Sequence, residues 1–256
     1  MRILLCGACG YMGKEMVKLC NAGYHGASLA AGIDPKGEGD GFPVFTSANE
    51  VEDVAADVIV DFSHHAAVGE ITDLAERLGI PIVIATTGHT EAEIDTIHRA
   101  AENIPVFFAA NMSVGVALLC DLAKRAAAAF PDADIEIVER HHTRKLDAPS
   151  GTALTIAKEI CDVRPEAYIS TGRSGRSPRD KNEIGIQSVR IGNVVGDHEI
   201  QIATAAETIT LKHEAHSRQL FAEGAIVAAE FAIGKSAGIY GMKDMLARED
   251  VTVSVK

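Results

Sequence analysis

The chain has 256 residues, 47% of them hydrophobic and 23% charged, which suits a folded globular protein with a large core rather than a disordered one. A formal net charge of -12 argues against nonspecific nucleic-acid binding, which rests on clustered Lys and Arg. No apolar run approaches the ~20 residues that span a bilayer, and the apolar start ILLCGACG runs into glycines instead of a signal cleavage site. The expected setting is the cytoplasm, with no membrane or nucleic-acid partner. The five cysteines, an odd number, read as free thiols.

Through the first 111 residues strand-like runs alternate with helical patterns: RILLCG, a helix near 11–22, SLAAGID, DVIVDFS, a helix near 65–78, PIVIATTG, a helix near 90–102 and PVFFAAN. That alternation predicts βαβ units on a parallel sheet covered on both faces, a Rossmann-like half. The first run enters Gly7, Gly10 and Gly13 directly. Glycines there permit a tight turn, close approach of a pyrophosphate and tight helix–sheet packing, although the spacing is GxxGxxG instead of the commoner GxGxxG. Asp34, after the second strand, stands where an acid accepts hydrogen bonds from the adenosine ribose and favours NAD; Lys36 offers a cation for a 2′-phosphate, so NADH and NADPH both stay open. Thr86, Thr87 and Gly88 end a strand where ligands of open parallel sheets sit. Cys6 and Cys9 form a C-x-x-C, but inside the phosphate-cradling turn they read as small fillers.

After a helix at 113–130 the texture changes. DIEIVERHH reads as a strand and 150–161 as a helix; a Gly/Ser/Arg loop precedes IGIQSVRIG, VVGDHEIQIAT and ETITLKHEA, whose alternation, with turns at Gly192–Asn193 and Ala205–Glu207, predicts an antiparallel or mixed sheet with one wet face. The predicted fold is thus α/β: a Rossmann-like dinucleotide-binding domain through residue 111, followed by a second α+β domain with a mixed, largely antiparallel sheet. A final helix covers SRQLFAEGAIVAAEFAIG.

An acidic chain gathers positive charge in VERHHTRKLDAPSGTAL. Alternation sends His141 and His142 to opposite strand faces. Lys145 follows, and then a helix start at Ser150, Gly151 and Thr152 offers N–H and hydroxyl donors to a carboxylate or phosphate. The stretch reads as an anion pocket with a proton donor. No metal is expected, because neighbouring strand positions with Glu139 diverge and complete no zinc shell. A Ser150–His141–Asp147 hydrolase lacks the G-x-S-x-G elbow.

The motifs GACGYMG, DFS, ATTG, FAANMSVG, ERHHTRKLDAPSGTAL, IGIQSVRIGNVVGDHEI, SRQLFAEGA and GIYGMKDML, in this order over nearly the whole chain, resemble the 4-hydroxy-tetrahydrodipicolinate (dihydrodipicolinate) reductases of lysine and diaminopimelate biosynthesis. The resemblance implies hydride transfer from NADH or NADPH to a small cyclic dicarboxylate, in a homotetramer whose dinucleotide-binding domain comprises 1–111 and 218–256 and whose substrate-binding and oligomerisation domain is 112–217. Carried over by motif, His141 is the proton donor with Lys145 as a rival. Thr87, His142, Lys145, Ser150, Gly151 and Thr152 would bind substrate carboxylates. Gly7, Gly10, Tyr11, Met12, Gly13, Asp34, Ala85, Thr86, Gly88, Asn111, Arg218 and Phe221 would contact the cofactor. The chain departs from the family pattern at Ala85, where glycine is usual, at His64 and Arg144, and in the Pro35-Lys36 that follows Asp34. Two alternatives remain at this stage: a related reductase of another small dicarboxylate, and a dinucleotide-binding protein without catalysis.

Overall fold

The computed structural model describes residues 1–247 apart from residues 38 and 40; residues 248–256, which the sequence assigns to the first domain, lie outside them. The chain divides into two compact units, one formed by Met1–Val114 and the chain from Arg218 on, the other by Gly115–Ser217.

In the first unit β1 (Arg2–Cys6), α1 (Tyr11–Asn21), β2 (Ser28–Ile33), β3 (Val44–Phe45), β4 (Val58–Asp61), α2 (Val68–Leu78), β5 (Ile82–Ile84), α3 (Glu91–Ala100) and β6 (Pro105–Phe108) follow in turn. Every pairing among these strands is parallel. Successive side chains of a strand point to opposite faces, and here both faces are apolar. Leu4, Cys6, Ile59, Ile82, Ile84 and Val106 meet Ile71 and Leu74 of α2 and Ile97 of α3 on one side. Ile3, Leu5, Val58, Val60, Val83 and Phe107 fill the other side, with Met16 and Leu19 of α1.

The second unit holds most of α4 (Val114–Ala129), then β7 (Asp134–His141), α5 (Gly151–Cys161), β8 (Tyr168–Thr171), β9 (Glu183–Arg190), β10 (Gly196–Ala203) and β11 (Thr208–Ala215). Its sheet has the order β11-β10-β7-β9-β8. Pairings β10–β11 and β10–β7 are antiparallel, while β7–β9 and β8–β9 are parallel. The sheet is therefore mixed, as predicted, with a larger parallel share than consecutive strands suggested. The Gly192–Asn193 turn does not close a hairpin between β9 and β10: β7 lies between them, and the connection crosses its end, where His142 N donates to Val194 O at 2.8 Å and Ile191 N to His141 O at 2.8 Å. The second turn does close the hairpin β10–β11, with Thr204 N donating to Glu207 O at 2.8 Å. Ile135, Ile137, Ile184, Ile186, Ile200 and Ile202 share one face and pack on Leu119 and Ala123 of α4 and Ile156 and Ile160 of α5.

The chain then returns to the first unit with α6 (Gln219–Ala232), β12 (Gly238–Tyr240) and α7 (Met242–Leu246). β12 pairs in parallel with β6 and completes a seven-stranded sheet of order β12-β6-β5-β4-β1-β2-β3. Ala222, Ala225, Ile226 and Ala229 of α6 join the α1 side of the core.

Candidate active site

In the first unit the carboxyl ends of the strands carry the glycine and strand-end motifs. Gly7 turns the chain at φ +77°, and a Cβ added to it would stand 2.4 Å from the Phe62 carbonyl oxygen. Gly13 sits over the same turn, its Cβ position 2.1 Å from the Gly7 oxygen, so only glycine fits either place. Gly10 is the N-cap of α1; no side chain caps the helix there and no acid occupies its first turn. Such a start leaves N–H groups and the positive end of the helix dipole for an anion. The Asp34 carboxylate accepts from Cys9 N at 2.9 Å and Lys36 N at 3.1 Å, tying the glycine turn to the end of β2. Burial pushes the Cys6 thiol well up, which suits a filler better than a redox thiolate.

Thr86 is buried and donates its hydroxyl to Asp61 at 2.9 Å, whereas Thr87 and Gly88 are exposed and Ala85 is buried. Asp61 also accepts from Ser63 N and Oγ; burial acts to raise its pKa. The Arg218 guanidinium lies 5.1 Å above the ring of the exposed Tyr11. Met12, Asn111 and Phe221 are half-buried. This set fits a dinucleotide: an uncapped helix start for the pyrophosphate, a carboxylate after β2 for a ribose hydroxyl, and an exposed rim with a cation.

In the second unit the isoleucine face of the sheet turns polar toward the end of β7. The same alternation that buries Ile135 and Ile137 buries Glu139 and His141. Strand register then sets Ser188 and His198 beside Glu139 and Arg190 beside His141. Glu139 has no exposed surface. Its Oε2 lies 2.6 Å from His141 Nδ1 and 2.8 Å from Arg190 Nη1; its Oε1 accepts from Arg190 Nη2 at 2.8 Å and from Ser150 N at 3.1 Å. Burial acts to raise the Glu139 pKa, but hydrogen bonds from Arg190, His141 and Ser188 outweigh it and hold the carboxyl at about 2. Burial, then the neighbouring His141, drive His198 down to about 4, so that ring is neutral at neutral pH.

Ser150 is the N-cap of α5: its hydroxyl accepts from Ala153 N at 3.2 Å and faces His198 Nε2 at 3.0 Å. Its side chain is turned inward, while Gly151 is exposed and Thr152 half-buried at the helix start. Lys145 pairs with the exposed Asp147 at 2.8 Å and holds that carboxyl below the usual range. The structure thus brings His141, Ser150 and the start of α5 together through Glu139, a residue the sequence reading weighed only as a metal ligand. Arg190, His198 and Gly196 also complete the cluster; they lie in the IGIQSVRIGNVVGDHEI motif, to which the sequence reading gave no role in the site.

The depressed Glu139 carboxyl makes a pH prediction. A group whose folded pKa is below its ordinary 4.5 contributes stability that is present above that value and lost as pH falls toward about 2. Urea-unfolding midpoints of the second unit are expected to drop steadily across this window, and Glu139→Gln to flatten the drop. Equal slopes in the two proteins would contradict the Arg190–Glu139–His141 arrangement.

A parallel sheet with an uncapped helix start at its glycine turn, and in the second unit a buried carboxylate–histidine pair beside the start of α5, fit an oxidoreductase that uses NADH or NADPH, and the chain's family and relatives show it to be one. Residues 1–112 match the family model described as dihydrodipicolinate reductase, N-terminus, and residues 115–246 the model for its C-terminus. The chain belongs to the dihydrodipicolinate reductase family. It is 42% identical over 250 residues to the 4-hydroxy-tetrahydrodipicolinate reductase of Caldanaerobacter subterraneus subsp. tengcongensis, covering 97% of this chain and 99% of that protein. A second relative, from Clostridium novyi, is 41% identical over 96% of this chain and 98% of its own length. Among solved structures, the dipicolinate-bound dihydrodipicolinate reductase of Paenisporosarcina sp. TG-14 superposes with a TM-score of 0.81 at 28% identity, covering 94% of this chain and 97% of that one.

Proposed function

We propose that the protein reduces 4-hydroxy-tetrahydrodipicolinate, with loss of water, to tetrahydrodipicolinate in lysine and diaminopimelate biosynthesis. The observation that carries this reading is the buried Glu139–His141 pair beside the start of α5, in a chain that matches the family over residues 1–112 and 115–246. Bound NADH or NADPH supplies the hydride. The chain's own residues bind the nucleotide at the Gly7–Gly13 turn and Asp34, with Tyr11, Met12, Ala85, Thr86, Gly88, Asn111, Arg218 and Phe221 around it. In the second unit two carboxylates of the ring need cationic and N–H donors, which Lys145, His142, Gly151 and Thr152 offer while Ser150 holds the helix start from behind. His141 gives one proton to the carbon skeleton as the hydride arrives and recovers it from water.

The direct test is nucleotide oxidation followed by absorbance, with enzymatically generated hydroxy-tetrahydrodipicolinate and NADH or NADPH side by side. Turnover with either nucleotide is the expected result; tight nucleotide binding without turnover would reject the reading in favour of a non-catalytic binding protein. Hydrogen bonds to charged groups are worth about 1.5–3 kcal/mol, so Lys145→Ala is expected to raise KM about 10- to 100-fold and to lower kcat as well. An unchanged KM would remove Lys145 from the carboxylate site. We further propose a homotetramer assembled through the second unit, whose sheet has α4 and α5 on one face and half-exposed Glu136, Val138 and Arg140 on the other. Light scattering should give about four times the 27.1 kDa chain mass.

A further inference from the structure

Within that functional reading, on which this inference rests, the donor and acceptor count around Glu139 assigns a role that no motif carries. An ionised carboxylate only accepts, through about four lone-pair sites. Here those sites meet His141 Nδ1, both Arg190 Nη atoms and Ser150 N, at 2.6 to 3.1 Å, with the Ser188 hydroxyl as a further donor, so every group around the carboxylate donates to it. His141 Nδ1 must therefore carry its proton and donate it to Glu139. The opposite ring nitrogen, Nε2, faces Gly196, where a Cβ would come within 3.2 Å of it; the glycine keeps that side of the ring clear. The carboxylate that receives the histidine also receives the first N–H ahead of α5, so the proton donor and the anion-receiving helix start are set against one common atom group.

We propose that Glu139 is the positioning residue of this site: it fixes the His141 ring with Nδ1–H inward and Nε2 as the proton-delivering atom, and registers α5 against it. Glu139 itself touches no substrate. When Nε2 gives up its proton, Nδ1 keeps its own, and the ring returns as a neutral imidazole in one defined tautomer until water reprotonates Nε2. An amide at position 139 breaks this logic. It offers both donors and acceptors to a surrounding made of donors, and its NH2 favours a bare Nδ1 with the hydrogen on Nε2, a neutral and poor acid.

The test is Glu139→Gln in the full chain, assayed beside the wild type, with nitrogen NMR of histidine-labelled protein and the His141 signal assigned through His141→Gln. The variant is expected to lose about 30- to 100-fold in kcat, with KM within about threefold, because the residues that hold the carboxylates remain. In the wild type, the neutral His141 ring is expected to be protonated at Nδ1, with that proton shifted far downfield; in the variant the pattern inverts. A purely structural role would lower kcat only in step with the folded fraction, which thermal unfolding measures, and would leave the tautomer unchanged. A variant within threefold of wild-type kcat overturns the proposal, and so does a neutral wild-type ring that carries its one hydrogen on Nε2, whether or not the variant folds. A wild type that leaves the substrate unreduced with both nucleotides rejects the functional reading instead, while the ring signature still decides the Glu139 contact.

Discussion

Replacing His141 by Gln is expected to cut turnover of hydroxy-tetrahydrodipicolinate about 1,000-fold while shifting KM by no more than about threefold. General acids contribute ~10²–10⁴-fold, and histidine is the side chain whose ordinary titration lies nearest neutral pH. The structure gives the ring what a proton donor needs. It is buried, its Nδ1 is anchored on Glu139 at 2.6 Å, and a glycine faces its Nε2. Lys145 is the rival acid, but it is ion-paired with Asp147 on the loop before α5, at 2.8 Å from a carboxylate that is itself 59% exposed. That placement suits a charge handed over to an incoming carboxylate better than a proton handed to carbon. The two roles separate in the kinetics: loss of His141 should fall on kcat, and loss of Lys145 should fall first on KM. If His141→Gln keeps turnover within tenfold while Lys145→Ala abolishes it, the assignments change places.

The parts of this molecule that were legible in the sequence are those where local chemistry is decisive. Glycines at positions 7, 10 and 13 announced a turn because no side chain fits there, and the apolar runs of β1, β4 and β5 announced doubly covered strands because both faces are buried. The start of α5 was legible for the same reason, since a Ser-Gly-Thr run after a proline is helix-capping chemistry. What escaped was short or non-local. Strands β3 and β12 have two and three residues and β8 four, too few for alternation to register. Arg190 and His198 reach Glu139 only because β7 is inserted between β9 and β10, a pairing that no spacing along the chain encodes. Glu139 itself was within reach. It precedes His141 by two residues, so strand alternation places both on the buried face, and a buried carboxylate beside a buried histidine asks for an explanation. The inward turn of Ser150 depends on a rotamer and on His198 across the sheet, and only coordinates show it.

The second large effect expected is on stability, at a glycine that the sequence reading passed over as one residue of a helix. Gly224 lies in α6 where a Cβ would stand 1.7 Å from the carbonyl oxygen of Met112. Alanine ordinarily stabilises a helix interior over glycine by about 1 kcal/mol. Here the sign reverses, because the obstructing atom belongs to the backbone of a residue that is 2% exposed and cannot rotate away. Gly224→Ala is expected to cost about 3 kcal/mol or more, or roughly 10 °C in melting temperature for a unit of this size. Gly69 in α2 provides the matched comparison: it is a helical glycine of the same unit with nothing within 4 Å of its Cβ position, so Gly69→Ala should be neutral or mildly stabilising. Denaturation midpoints of the two variants decide the matter, and similar values would mean that α6 and the Met112 segment adjust to each other freely. The same contact ties stability to nucleotide binding. The start of α6 carries Arg218 and Phe221, and Met112 follows Asn111, so a helix pushed off that carbonyl displaces three of the residues proposed to hold the dinucleotide. Gly224→Ala protein that remains folded at low temperature should therefore bind NADH more weakly than Gly69→Ala protein does.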